Sequence, residues 1–143
     1  MMIKQLSIFL ENTKGRLADV TSLLSRSGVN IRALSLADSA DFGVLRLIVN
    51  DSAKGSECLK KAGMVVQVTD VVAVEVPDKP GGLSRILKHF DGGGINVEYM
   101  YAFVGKIKDS AVVIFKVDAP AKAVKALKKA GVSLVRSAAL NEL

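Results

Sequence analysis

Cysteine and histidine are nearly absent from the sequence, since Cys58 and His89 are the only examples among 143 residues. One cysteine excludes a disulfide within the chain, and zinc sites built from cysteine and histidine take several such ligands from one chain. We interpret His89 as an exposed residue at the edge of a helix's apolar face, and Cys58 as a packed small residue. The chain also lacks a phosphate-binding loop, a dinucleotide fingerprint and a paired-carboxylate arrangement, so we expect neither an enzyme nor a bound metal or cofactor.

Long hydrophobic runs are also missing, although half of the residues are hydrophobic. The run AVVIF at 111–115 is far shorter than the roughly 20 apolar residues of a membrane-spanning helix. The N-terminal LSIFL is too short for the core of a signal peptide and is followed at once by Glu11. We therefore expect a cytoplasmic protein without a membrane partner.

Acidic residues are fewer than basic ones, which gives a net charge of +6, but the positive charges are scattered along the chain. The densest group is four lysines between residues 122 and 129, which alternate with Ala, Val and Leu at helical spacing. This spacing predicts the solvated face of an amphipathic helix. The basic charge alone therefore does not indicate a nucleic-acid site.

The sequence contains an internal duplication. A shift of 66 residues aligns Gly15 with Gly81, and the neighbouring apolar positions follow without a gap. With a shift of 68 residues, LKKAG at 59–63 falls on an identical LKKAG at 127–131. The second copy therefore carries two extra residues, around VGKIKD at 104–109.

Both copies have the same predicted order of secondary structure. In the first, an alternating strand precedes a helix with one apolar face, two further strands, a second helix capped near Asp51, and the strand MVVQV at 64–68. The second copy repeats this order from VVAVEV at 71–76 to a last strand VSLV at 132–135. Gly28 and Gly94 stand where glycines that end a helix are expected.

The order βαββαβ closes as a four-stranded antiparallel sheet with two helices on one face. We therefore predict an α+β fold of two ferredoxin-like βαββαβ units in tandem, one at residues 1–70 and the other at residues 71–143. Thr69 and Asp70 are predicted to form a turn between the copies. The second strand of each copy is predicted to lie at a sheet edge.

Two short motifs occur at matched places in the two copies. The second copy has DKPGGL at 78–83 after its first strand and GINV at 94–97 at the start of its second strand. The first copy has NTKGRL at 12–17, which lacks the proline, and GVNI at 28–31. In this order of elements the motifs resemble those of the ACT domain, a small amino-acid-binding regulatory module, and the tandem arrangement is similar to that of small stand-alone ACT proteins.

The resemblance implies a homodimeric regulatory sensor that binds a free amino acid between ACT units, without catalysis. In such families the ligand contacts the loop before the first helix of one unit and the start of the second strand of its neighbour. The amino end of a helix offers free N–H groups for a carboxylate, and Asp78 would accept a hydrogen bond from the ligand's ammonium group. The ligand-binding residues that the resemblance implies are Asn12, Gly15, Arg16, Leu17, Asn30, Ile31, Asp78, Pro80, Gly81, Gly82, Leu83, Asn96 and Val97.

The two copies are not expected to bind equally well. Pro80 stiffens the turn of the second copy, whereas the first copy has Thr13, Lys14 and Arg16 in the corresponding loop. We therefore predict that the second copy supplies the stronger site. The motif glycines and asparagines also fit a role in turn geometry alone, and the leucines of the two motifs fit a role in the core.

Two other functions are consistent with this fold. One is the regulatory small subunit of an amino-acid biosynthetic enzyme, similar to that of acetolactate synthase, which would make a metabolic enzyme the partner. The other is an RNA-recognition motif, which shares the order βαββαβ and stacks bases on aromatic residues of its first and third strands. Those strands here contain a lone Phe in two cases and no aromatic in the others. We therefore expect no specific nucleic-acid partner.

Overall fold

A computed structural model of the chain describes residues 1–38 and 41–143. Contacts between residues divide it into a first unit, residues 4–69, and a second unit, residues 70–143 together with residues 1–3. The elements in chain order are β1 (Ile3–Glu11), α1 (Arg16–Arg26), β2 (Ile31–Asp38), β3 (Phe42–Val49), α2 (Ser52–Lys61), β4 (Val65–Pro77), α3 (Gly82–Gly92), β5 (Val97–Ile107), β6 (Ser110–Val117), α4 (Pro120–Lys129) and α5 (Ser137–Glu142).

The first unit is an antiparallel sheet covered by helices. β3 pairs with β1 on one side and with β2 on the other, and β2 lies at the edge of the strand order. Successive side chains of a strand point to opposite faces, so Leu6 and Ile8 of β1 share one face. Helices α1 and α2 bury Val20, Leu24 and Leu59 in the same apolar core.

The second unit repeats this arrangement. β6 pairs with β4 and with β5, and β5 lies at the edge of the strand order. Val72 and Val74 of β4 are fully buried in a core that also contains Leu127 of α4. In this core the rings of Phe90 and Phe115 meet edge to face, with centroids 5.1 Å apart. The predicted α+β fold of two βαββαβ units and the edge position of each second strand are confirmed.

The helix ends are explained by local sequence. Asp51 precedes α2, and its side chain accepts a hydrogen bond of 3.1 Å from the Lys54 N–H, as predicted for an N-cap. Gly28 and Gly94 follow α1 and α3 with φ of +72° and +68°, a left-handed conformation that glycine adopts at little cost. Across residues 1–38 and 41–143, no helix has the length and apolar character needed to cross a membrane.

The predicted turn at Thr69 and Asp70 is wrong, because both residues lie within β4. The segment from residue 64 to residue 76 contains no glycine, proline, asparagine or serine, and Asp70 is its one residue of a type that favours tight turns. Its many valines favour an extended backbone instead. The extended conformation therefore continues through both residues.

The predicted last strand of the second unit, VSLV, is reduced to one bridge between Val74 and Leu134. Beside it, the Glu75 N–H donates to the Ser133 carbonyl at 2.9 Å. Residues 77 and 131 would form the next hydrogen-bonded pair of this antiparallel ladder, but Pro77 has no N–H to donate. The sheet therefore stops extending at this point.

The sequence patterns also did not predict α5. This helix is a single short segment, and its Leu140 is 1% exposed. A six-residue helix offers too few turns for its apolar period to be recognised. Burial of Leu140, rather than intrinsic helix propensity, accounts for it.

Candidate functional site

The turns before α1 and α3 have the same backbone structure. Gly15 and Gly81 precede the two helices with φ of +84° and +86°. Three residues before these glycines, the N–H groups of Asn12 and Asp78 donate to the carbonyls of the residues just before β3 and β6, both at 3.0 Å. The duplication is therefore preserved at the level of individual main-chain hydrogen bonds.

Each turn leaves the start of its helix open. Within the described residues, neither α1 nor α3 has a side chain that caps its first N–H groups. In α3 the N–H groups of Gly82 and Arg85 have turn carbonyls as partners, which leaves those of Leu83 and Ser84 without an intrahelical acceptor. A Cβ atom built on Gly81 or Gly15 would meet no described atom within 4 Å. The two glycines therefore expose helix starts that can accept an anionic group.

An open cleft lies beside each turn. In the second unit it has a volume of about 460 Å³, and its lining includes Asp78, Pro80 and Leu83. The corresponding cleft in the first unit measures only about 70 Å³, and its lining includes Asn12, Arg16, Leu17 and Leu36. The structure therefore brings predicted residues together around each turn, with much more space in the second unit.

Gly82 has a packing role at the start of α3. A Cβ atom at this position would overlap the carbonyl oxygen of Pro77, so a side chain cannot be placed here without moving the backbone. The Gly82 N–H donates to the Lys79 carbonyl at 3.0 Å, whereas the equivalent bond of Arg16 to Thr13 is 3.4 Å long. The second turn is therefore tighter because glycine occupies position 82.

Asp78 already has a cationic partner. Its Oδ2 accepts a hydrogen bond of 2.7 Å from Lys106 Nζ, and both side chains are more than half exposed. This hydrogen bond and the lysine charge hold the pKa of Asp78 below its ordinary value, and they raise the pKa of Lys106. A ligand's ammonium group would therefore share or replace Lys106 at this carboxylate.

Lys106 was not predicted from the sequence. It lies in the VGKIKD segment that makes the second copy longer, where the pairing of β5 with β6 shifts between Ala102 and Lys106. The two-residue insertion was a signal that this part of β5 differs from β2. Its position beside the turn depends on the register of the sheet, which the sequence pattern does not define.

Arg16 contributes a positive charge to the first turn. Its guanidinium lies 3.9 Å from the carboxylate of Asp19, and its Nε is buried without a hydrogen-bond partner in the described residues. The side chain also lines the small cleft of the first unit. Arg16 therefore both fills space beside the turn and leaves one donor unsatisfied.

Leu17 and Leu83 occupy equivalent positions but differ in how they pack. Leu17 is 41% exposed and lines the cleft of the first unit. Leu83 packs partly against the core of the second unit and also lines its cleft. The interpretation as a core residue thus fits Leu83 better than Leu17.

The asparagines predicted to contact a ligand from the second strand of each unit lie at the far end of α1 and α3 from the turns. Asn30 and Asn96 are exposed, and their N–H groups donate to the side chains of Asn50 and Asp118 at 2.8 and 3.0 Å. With 11 residues, α3 is about 16 Å long, so Asn96 does not join Gly81 within one unit.

The next residues, Ile31 and Val97, are half-buried and pack against the two cores. Core packing accounts for both side chains. The exposed group that each strand start offers to a ligand is therefore its asparagine. Among the described residues, no group of three or more metal-binding side chains was found.

Comparisons with known proteins agree with the fold described above. The sequence model of the family described as an ACT domain pair matches residues 1–143. A crystal structure of protein BT0572 from Bacteroides thetaiotaomicron is 40% identical with a TM-score of 0.93, covering 100% of this chain and 98% of that chain.

Two regulatory subunits of aspartate kinase show more distant similarity. The ligand-free form from Thermus thermophilus is 15% identical with a TM-score of 0.63, covering 89% of this chain and 91% of that one. The one from Thermus flavus is 15% identical with a TM-score of 0.61, covering 90% and 92%. At this identity the similarity concerns the fold. The comparison with curated proteins found no significant match.

Proposed function

The chain belongs to the ACT domain pair family, whose domains are regulatory, and we propose that it is a non-catalytic sensor of a free amino acid. In this proposal the two ACT domains comprise residues 1–70 and 71–143. The observation that carries it is the uncapped start of α3 beside an open cleft of about 460 Å³. Gly81 leaves the space above this helix end free for a ligand.

The turn of the second unit suits the two charged groups of an amino acid. The carboxylate would accept hydrogen bonds from the N–H groups of Leu83 and Ser84, where the helix dipole also favours a negative charge. The ammonium group would bind the carboxylate of Asp78, in competition with Lys106 at 2.7 Å. Leu83 and Pro80 line the same cleft and would contact the ligand's side chain.

A second copy of the chain would complete the site. Asn96 is exposed at the start of the edge strand β5, at the other end of α3 from the turn of its own unit, and this helix is about 16 Å long. Pairing of two copies would let one supply the turn and the other supply the asparagine. We therefore propose a homodimer with ligands at the contacts between its ACT units.

Thermal unfolding in the presence of each of the twenty amino acids tests this function. A ligand at a hundred times its dissociation constant should stabilise the folded protein by about 2.7 kcal/mol. The expected result is a large increase in melting temperature with one amino acid or one chemically similar group. If none of the twenty raises the melting temperature, the proposal of an amino-acid sensor is wrong.

A second candidate is the regulatory subunit of an amino-acid biosynthetic enzyme. The observation that favours it is the shared fold with aspartate kinase regulatory subunits, over about nine-tenths of both chains. Both candidates include amino-acid binding, but only this one requires a stable enzyme partner. Purification of the tagged chain from its native cells would separate them, since a stoichiometric metabolic enzyme is expected only for the subunit.

A further inference from the structure

A groove in the first unit lies between α2, the start of β1 and the first residues of β4. It has a volume of about 500 Å³, and among the described residues it shares no lining residue with the cleft beside the turn of the same unit. This volume is within the roughly 300–1,000 Å³ of small-molecule sites. Its lining residues are Lys4, Ser52, Ala53, Ser56, Glu57, Lys60 and Val68.

Ser56 lies midway along the side of α2 that lines this groove. Ser52, Ser56 and Lys60 recur every four residues, so they share one side of the helix. Ser56 is 7% exposed, and its hydroxyl has no hydrogen-bond partner within residues 1–38 and 41–143. A serine inside a helix commonly points to solvent or donates to the carbonyl four residues earlier, and Ser56 does neither. Its hydroxyl is therefore available to a ligand in the groove.

Positive charge borders the groove on both sides. Lys60 follows Ser56 by about one helical turn, and it forms no ion pair in the described part of the chain. Lys4 of β1 borders the groove from the sheet. The acidic lining residue, Glu57, already has a cationic partner, because its Oε1 lies 2.9 Å from Lys61 Nζ. The groove therefore favours a negatively charged ligand.

The second unit does not repeat this combination of side chains. The residues that match Lys4, Ser52 and Ser56 by the duplication are Asp70, Pro120 and Val124. Val124 packs partly against the core of the second unit, so the shared fold accepts an apolar side chain at this position. The hydroxyl of Ser56 and the positive charge of Lys4 are therefore not needed for the fold that the units share.

We propose that this groove binds a small organic oxyanion, with a phosphate or carboxylate group and an apolar part. The Ser56 hydroxyl donates to an oxygen of the anion, and Lys4 and Lys60 balance its charge. A hydrogen bond to a charged group is about twice as strong as a neutral one. Ala53 and Val68 contact the apolar part of the ligand. No ammonium group is required, so this site is independent of the amino-acid site proposed at the turn.

Titration of the isotope-labelled protein with phenyl phosphate, benzoate and benzyl alcohol tests the need for an anion. Sodium chloride keeps the ionic strength constant throughout. The amide resonances of Ser56 and Lys60 should shift saturably with phenyl phosphate, benzoate or both, and the stronger of the two identifies the preferred oxyanion. The neutral alcohol should have no such effect. No saturable shift with either anion, or an equal response to benzyl alcohol, overturns the proposal.

Variants separate a built site from general attraction to positive charge. Ser56→Ala removes the hydroxyl and should weaken binding about tenfold or more, because a charge-assisted hydrogen bond is lost. Ser56→Val, which introduces the residue of the second unit, should weaken it further because the larger side chain also fills the groove. Lys54→Gln removes one charge from an exposed position of α2 that does not line the groove, and should leave the affinity unchanged. Equal affinities of Ser56→Ala and the wild type, or a loss in Lys54→Gln as large as in Ser56→Ala, would show that the inference is wrong.

Discussion

The turns that begin α1 and α3 have the same backbone and different side chains. Both have a left-handed glycine and the same main-chain hydrogen bonds, yet the first has Arg16 and Asn12 where the second has Gly82 and Asp78. The adjoining cleft measures about 70 Å³ in the first unit and about 460 Å³ in the second. The duplicated backbone of the turn is therefore retained in both units, whereas a few side chains determine the volume and the charge of the adjoining cleft.

The largest expected effect comes from giving the second turn a side chain at position 82. In Gly82→Ala the new Cβ atom would overlap the Pro77 carbonyl oxygen, so the backbone must move. Forcing extra atoms into a packed site typically costs about 1–3 kcal/mol, and contact with backbone places this change near about 3 kcal/mol. Urea unfolding of the variant and the wild type measures this loss.

Gly92→Ala is the matched control in the same helix. A Cβ atom at Gly92 meets no described atom within 4 Å, and alanine is favoured over glycine in a helix by up to about 1 kcal/mol. This variant should therefore be as stable as the wild type or more so. Equal stability of Gly82→Ala and the wild type would show that the tight turn is not what distinguishes the second unit.

The next effect concerns ligand binding at the two left-handed glycines. Gly81→Asp places a side chain and a negative charge where the ligand's carboxylate is proposed to bind. Loss of one or two charge-assisted hydrogen bonds, each about 1.5–3 kcal/mol, should weaken binding tenfold or far more. Gly15→Asp should weaken binding less, because the cleft of the first unit is small. Calorimetry with the amino acid that most raises the melting temperature measures both affinities.

Gly81→Asn is the control for strain at this position. Any residue other than glycine pays roughly 1–2 kcal/mol for a left-handed backbone, although Asn and Asp tolerate it best. Asn and Asp at φ of +86° carry similar strain, so the difference in affinity between the two variants reports the charge. Full binding to Gly81→Asp would mean that this glycine serves turn geometry alone.

A smaller effect, on the hydrogen bonds of the last bridge, is expected when residue 77 is replaced by the residue at the matching position of the first unit. Pro77→Glu introduces the residue found at the matching position 11 and restores a main-chain N–H. The bridge at Leu134 could then extend by another hydrogen bond, worth about 0.5–1.5 kcal/mol. Hydrogen exchange at the Val135 amide, which donates to the Ala73 carbonyl in the same bridge, should slow by up to about tenfold, whereas Pro80→Glu should not change it. Unchanged exchange in Pro77→Glu would show that proline does not end the ladder.

Much of the fold could be predicted because the spacing of apolar residues and the positions of the helix-ending glycines indicate the same elements. Alternating apolar residues identified the strands, and the left-handed glycines at 28 and 94 marked the helix ends. The prediction failed where a single missing N–H group or the burial of one side chain decides the secondary structure. Pro77 ends a ladder by lacking an N–H, and Leu140 stabilises a helix too short to show a period.

The candidate site was predicted less completely. The turn residues Asp78 and Pro80 line a cleft, whereas Gly82 packs on backbone and Val97 packs on the core. Lys106 was missed because contacts across strands depend on register, which a two-residue insertion changes locally. Local sequence identifies turns well, whereas side-chain partners from distant strands require the folded sheet.

The smallest expected effect is electrostatic and belongs to the second unit alone. Lys106 lowers the pKa of Asp78 and its own pKa is raised, so their pair stabilises the fold between about pH 3.9 and about pH 10.4. The contribution is lost as the pH falls through the lowered value of Asp78 or rises through the raised value of Lys106. Urea midpoints of the wild type and Lys106→Gln should therefore differ slightly near neutral pH and converge once the pH has fallen through the lowered pKa of Asp78. Lys79→Gln removes the same charge from the turn without breaking this pair, so a difference that it reproduces would reflect net charge rather than the Asp78 contact.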